Sequence, residues 1–219
     1  KKCAFAKPEV VFVGHVVGGG RHRPDESRIE ALKNLPRPKT KKQLRSVIGS
    51  FSFFRSYVPN LADIAKCLTD LTAKRMPNVL RWGEKEQIAF DALKEALCNV
   101  HCMHSPVIGR DFLLRCGSSD YAAGACLFQL DEENRELPIA YASQKLTEVL
   151  QRWAVIHREA FAVIWALNKW RNLILFSKIH LFSDHRPLSF LSLITPKNNS
   201  KLIRLSLAFQ EYDIDFSYL

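Results

Sequence analysis

The 219-residue chain reads as an α/β (mixed α+β) protein, a small helical region followed by a mixed five-stranded sheet flanked by helices. Three observations predict this. Between Pro24 and Leu97, apolar residues recur at helical spacing, and prolines punctuate the run. From Asp111 the apolar period shortens to that of a strand. The order from there is β-β-β-α-β-α-α-β, and antiparallel strands followed by helices and further strands make a mixed, helix-covered sheet.

The first strand-like stretch covers residues 3–17 and centres on Val10-Val11-Phe12-Val13. Gly18-Gly19-Gly20 breaks it. The three glycines lack the Lys-Ser/Thr of a phosphate loop and the spacing of a dinucleotide fingerprint, so a hairpin turn is expected. Asp25 caps a short helix whose buried side carries Ile29 and Leu32, and Pro36 stops it. Thr40 and Gln43 form a capping box for the next helix, with Leu44, Val47, Ile48, Phe51 and Phe54 on one side and Pro59 at its end. Asn60 is expected to cap a third helix bearing Leu61, Ile64, Leu68 and Leu71. Trp82 precedes a helix over 84–97 with Ala89, Phe90, Leu93 and Leu97 inward, and a domain boundary falls between that helix and Pro106.

Strands follow at 112–116, 123–129 and 138–143, with Asp131-Glu132-Glu133-Asn134 as a polar turn. One long helix over 149–173 carries the stripe Ile156, Ala160, Val163, Ile164 and Leu167. A fourth strand, 179–183, ends at Asp184. Short helices at 188–193 and 201–210 and a strand at 214–218 complete the chain.

Net charge is +10, which favours a polyanionic partner, nucleic acid being the usual one. Lys39, Lys41, Lys42 and Arg45 cluster at a helix N-terminus, where backbone N–H groups also favour phosphate. A solvated charged face is the plainer alternative. No apolar run reaches membrane-span length, and the N-terminus has no signal-peptide core. Six cysteines without a Cys-x-x-Cys pair suit reduced thiols. Cys98, His101, Cys102 and His104 crowd seven residues, but not at finger or ribbon spacing, so a frayed helix end is preferred to zinc. Glu159 alone reads as a surface glutamate, although Ile156 and Val163 place it on or beside the buried stripe. Asp184 alone reads as a strand-end turn residue.

A series of stretches, in order, resembles the Pol polyprotein of gypsy-type long-terminal-repeat retrotransposons. They include Val11-Phe12-Val13-Gly14-His15, Arg23-Pro24-Asp25, Leu35-Pro36-Arg37-Pro38, Leu44-Arg45-Ser46-Val47-Ile48-Gly49 and Val58-Pro59-Asn60. Further on come Ala89-Phe90-Asp91-Ala92-Leu93-Lys94, the run 138–146, Arg158-Glu159, Trp165-Ala166-Leu167 and Ser183-Asp184-His185-Arg186-Pro187-Leu188. The resemblance implies that residues 1–105 hold the end of a reverse transcriptase palm, its thumb and a linker helix. Residues 106–219 would be an RNase H-like domain, C-terminally truncated.

The family's site holds four carboxylates and two divalent ions, generally Mg²⁺ with Mn²⁺ as an alternative, about 4 Å apart, and cleaves RNA in RNA–DNA hybrids. On this chain the resemblance assigns catalysis and metal binding to Glu159 and Asp184. The candidate nucleic-acid contacts are the basic set Lys39, Lys41, Lys42 and Arg45, read from charge, together with Arg55, His185 and Arg186 in the matching stretches. The first-strand aspartate of the family's Thr-Asp-Ala-Ser-Asp-Tyr pattern falls on Gly117 within Cys116-Gly117-Ser118-Ser119-Asp120-Tyr121. The fourth carboxylate would lie beyond Leu219. Asp120 already matches another position of the pattern, and its odd offset from Gly117 points it to the other face of a strand. If a turn intervenes, that argument weakens.

Impaired hydrolysis is therefore expected. A non-catalytic nucleic-acid-binding or scaffold module derived from a retroelement is the rival reading. No Asp-Asp dipeptide occurs, so polymerisation by this chain alone is not expected. The implied partners are RNA–DNA hybrid and the remaining Pol segments (palm, integrase). The implied location is intracellular: cytoplasm, element particle or nucleus.

Overall fold

The computed structural model describes residues 6–100, 102–183, 207 and 209–218. The chain divides into two compact units, Lys1–Ser105 and Pro106–Leu219.

In the first unit, strands β1 (Glu9–Phe12), β2 (His15–Gly18), β3 (Arg21–Pro24) and β4 (Met103–His104) form an antiparallel sheet in that order. The expected single strand over 3–17 is thus a hairpin. Its turn residues Val13 and Gly14 both have positive φ (48° and 78°), which suits the twist of a two-residue hairpin. The β-branched Val13 conceals that turn from composition rules. Gly19 and Gly20 make the second turn, as expected, at φ 55° and 70°.

Helix α1 (Glu26–Lys33) starts at Asp25, whose carboxylate accepts from the Ser27 N–H. Helix α2 (Lys41–Phe53) opens with the Thr40/Gln43 capping box and buries Leu44, Val47 and Phe51. A 3-10 turn, Arg55–Tyr57, follows. The expected third helix is two short ones, α3 (Leu61–Ile64) and α4 (Lys66–Asp70). Asn60 does precede α3, but in a left-handed conformation (φ 51°) with no side-chain cap bond. Helix α5 (Glu84–Cys98) buries Ala89, Phe90, Leu93 and Leu97.

The second unit is a five-stranded mixed sheet in the order β7-β6-β5-β8-β9. Strands β5 (Phe112–Ser118), β6 (Ala122–Leu130) and β7 (Glu136–Lys145) run antiparallel to one another in sequence order. Strands β8 (Lys178–Ser183) and β9 (Asp213–Tyr218) run parallel to β5 and to each other, respectively. The helix expected over 149–173 is broken into α6 (Glu148–Gln151), α7 (Val155–Lys169) and α8 (Arg171–Ile174). No proline or glycine marks the first break. Across it the Arg158 guanidinium donates to the Gln151 carbonyl, which a continuous helix would pair internally.

Helix α7 packs Ala160, Val163, Ala166 and Leu167 against Phe112, Leu114, Cys116, Ile179 and Leu181. Alanines on that face let the helix approach the sheet closely. Each fully buried leucine or isoleucine contributes on the order of 2 kcal/mol. The helices expected at 188–193 and over most of 201–210 lie outside the described residues. Among the described residues, no helix is long and apolar enough to cross a membrane.

Candidate active site

Side chains 112, 114 and 116 of β5 point into the core beneath α7. Ser118 continues that face at the strand's end. There it meets Glu159, which lies in the second turn of α7 beside Ala160 and is 5% exposed. The Ser118 N–H donates to Glu159 Oε1 at 3.1 Å, and the Ser118 hydroxyl donates to the same oxygen at 2.7 Å. Glu159 Oε2 is buried and has no hydrogen-bond partner among the described residues. Beneath the pair, burial pushes the Cys116 thiol well up from its ordinary range, and Cys126 and Glu159 add to that push.

Gly117 lies across from Gly124 in the β5–β6 ladder. A Cβ placed on Gly117 would meet nothing within 4 Å. The position could hold a larger side chain, and this chain has none there.

A turn follows β5, and it carries Asp120 outward. The Asp120 side chain is 92% exposed and pairs with Arg158 Nη2 at 2.7 Å. Arg158 is itself buried, and it ties that turn to the end of α6 through Gln151. Its Nε is buried without a partner among the described residues. Asp120 is therefore engaged as the counter-ion of Arg158. Asp184, His185 and Arg186 lie outside the described residues.

The described residues do not fit a centre of two divalent ions. Of the two carboxylates that the resemblance assigns to metal, Glu159 alone is described, and one of its oxygens already accepts from Ser118. Among the described residues, no three His, Cys, Asp or Glu side chains cluster as a metal site. This includes the neighbourhood of Cys98, Cys102 and His104, whereas His101 is outside the described residues.

The basic set of the first unit divides. Lys39, Lys42, Arg45 and Arg55 are exposed around α2 and the turn after it. Arg45 also donates to the Thr72 carbonyl at 2.8 Å. Lys41 is a correction to the expected phosphate contacts. It is buried, and its ammonium donates to the carbonyls of Ala73 (2.9 Å), Lys74 (3.5 Å) and Met76. It closes the segment after α4 and cannot reach a ligand.

Sequence reasoning missed two residues of the site and one at the far end of β6. Ser118 was hidden inside a pattern read for its aspartates. Arg158 was read only as part of a motif. Gln129 was not singled out at all. It is buried on β6, and its amide accepts from Val107 N (2.8 Å) and donates to the Val107 and Arg110 carbonyls (3.0 and 3.1 Å). A glutamine at the end of an apolar strand run was the available signal.

Residues 108–212 match the model of the RNase H-like domain found in reverse transcriptase. This chain carries an RNase H-like domain of the retrotransposon Pol kind. Over its full length it is 30% identical to the Retrovirus-related Pol polyprotein from transposon opus of Drosophila melanogaster, of which it spans 22%. It is 31% identical, again over its full length, to the Pol polyprotein from transposon 412 of the same organism, spanning 17% of it. The Tf2-3 polyprotein of Schizosaccharomyces pombe is 25% identical over 99% of the chain, which spans 16% of that protein. The chain thus spans about a fifth of the length of these relatives.

Among solved structures, the foamy viral protease-reverse transcriptase in complex with an RNA/DNA hybrid superposes with a TM-score of 0.78. That match has 21% identity and covers 97% of this chain and 29% of the viral one. The same viral enzyme with dsDNA gives a TM-score of 0.79 at 21% identity, covering 97% of this chain and 45% of that one. These likenesses bear out the mixed α/β RNase H-like fold.

Proposed function

We propose that this chain serves as the thumb and RNase H part of a retroelement Pol polyprotein, engaging RNA–DNA hybrid with hydrolysis of the RNA strand impaired or lost. One observation carries the reading. Gly117 stands where the family pattern places its first metal-holding aspartate, and the helix carboxylate, Glu159, is tied to Ser118. Residues 1–105 act as the end of the palm, the thumb and the linker, and residues 106–219 as the RNase H-like domain. The remaining Pol segments, palm and integrase, are the partners this role requires. Any divalent ion, Mg²⁺ or Mn²⁺, would rely on Glu159 and Asp184. Two carboxylates neutralise a metal pair poorly.

Support for the hybrid as ligand comes from two directions. Net charge is +10, and Lys39, Lys42, Arg45 and Arg55 are exposed around one helix. The foamy viral relative in fold has been solved on an RNA/DNA hybrid.

The test is cleavage of a labelled RNA–DNA hybrid with Mg²⁺ or Mn²⁺, beside hybrid affinity measured against salt. Expected are little or no cleavage and binding that weakens steeply as salt rises. Robust cleavage that disappears in Glu159→Gln or Asp184→Asn would overturn the impairment. No binding at low salt would remove the nucleic-acid role.

A further inference from the structure

Glu159 is a buried carboxylate, and such a group requires a counter-charge or strong hydrogen-bond donors. The neighbouring cation does not serve it. Arg158 donates to Asp120 and to the Gln151 carbonyl. What Glu159 has is Ser118, which directs a main-chain N–H and a hydroxyl at the same carboxylate oxygen.

Of the three adjacent departures from the Thr-Asp-Ala-Ser-Asp-Tyr pattern, at 116, 117 and 118, the last two bear on the charge at this site. The aspartate position is Gly117, and the alanine position after it is Ser118. The first removes a negative charge that would help hold a cation. The second adds a donor hydroxyl beside the carboxylate that remains.

We propose that Ser118 takes the place of a divalent cation at Glu159, so that this site keeps its surviving carboxylate by hydrogen bonding and does not take up metal. The inference rests on the reading that Gly117 stands at the first carboxylate position. The chemistry is direct. Hydrogen bonds to a carboxylate are strong, and two converge on Oε1, the hydroxyl one short at 2.7 Å and the main-chain one at 3.1 Å. An ion approaching Oε2 would find a single protein oxygen from the described residues. Mg²⁺ demands near-octahedral oxygen coordination and gives up water reluctantly, so Oε2 with Asp184 alone, Oε1 being held by Ser118 and position 117 lacking a carboxylate, does not retain it.

The test uses the full chain and Mn²⁺ as probe, reading the free-ion electron paramagnetic resonance signal and the thermal midpoint. Wild type is expected to take up no more Mn²⁺ than Glu159→Gln at millimolar ion, with an unmoved midpoint. Ser118→Ala is expected to lower the midpoint and to gain Mn²⁺ uptake that Glu159→Gln abolishes. Ser118→Thr, which keeps the hydroxyl, is expected to hold the wild-type midpoint and stay metal-free. Glu159-dependent Mn²⁺ uptake by wild type overturns the inference, as does a Ser118→Ala midpoint equal to wild type. Should Ser118→Ala fail to fold, the wild-type titration and Ser118→Thr still decide. Metal uptake without hybrid cleavage sinks this inference alone, whereas metal-dependent cleavage sinks the impaired reading too.

Discussion

The ammonium of Lys41 sits among three backbone carbonyls contributed by residues 32 to 35 positions away. Lys41→Met would leave buried acceptors without a donor, at a cost of about 1–3 kcal/mol in urea unfolding. It should leave the salt dependence of hybrid binding untouched. Lys39→Ala with Lys42→Ala should do the reverse. Stability should stay within about 0.5 kcal/mol, while the slope of log affinity against log salt should fall by roughly one for each phosphate no longer neutralised. Nothing in Lys39-Thr40-Lys41-Lys42 distinguishes the inward lysine, because the carbonyls that receive it come from another part of the chain. Gly117 offers the opposite lesson. Its place in the pattern was legible from sequence, but the free space above it was not. Gly117→Asp should fold with stability changed by no more than about 1 kcal/mol, since strand entropy gained offsets the low strand preference of aspartate.

The capped helix starts at Asp25 and Thr40 were legible, because capping is a local pairing of residues two or three apart. Thr40→Ala should cost α2 about 1 kcal/mol, measured by chemical denaturation. Breaks made by distant partners were not legible. The interruption between α6 and α7 is bridged by Arg158 reaching back to Gln151, and β4 exists only because β3 is there to pair with it.

The aromatic knot joining β2, β3 and the 3-10 turn is another such case. The Tyr57 hydroxyl lies 2.6 Å from His22 Nδ1 and 3.0 Å from His15 Nδ1. Burial pushes the tyrosine up to about 12 and pushes both histidines below their ordinary value, with His15 and His104 adding to the effect on His22. A histidine whose folded pKa is lowered binds its proton more readily when unfolded. The stability it contributes is therefore present above its unfolded value near 6.5 and is lost as pH falls through the lower folded value. Unfolding free energy should drop between pH 7 and pH 5, and His22→Gln should flatten that drop. An unchanged pH profile in the variant would count against this account.

At the scale of the molecule, the β-β-β-α-β order and the mixed sheet followed from period changes in the apolar pattern, and the core of α7 against β5 and β8 is the one the stripe predicted. The ends of the site were less accessible to that reasoning. Glu159 could be placed on or beside the buried stripe of its helix, but its partner could not be named, because Ser118 lies 41 residues away on a strand that runs two residues past its apolar pattern.

The Gln129 amide has a consequence for how the chain meets a protease. A peptide must detach and extend over several residues to enter a protease's cleft, and Arg110 is an obvious trypsin site, at the start of the second unit. In the native protein its own carbonyl and that of Val107 are held by Gln129, so cutting there requires those bonds to open first. Gln129→Ala should turn the bond after Arg110 into an early trypsin cut, visible by mass spectrometry of a timed digest, while wild type is nicked elsewhere first.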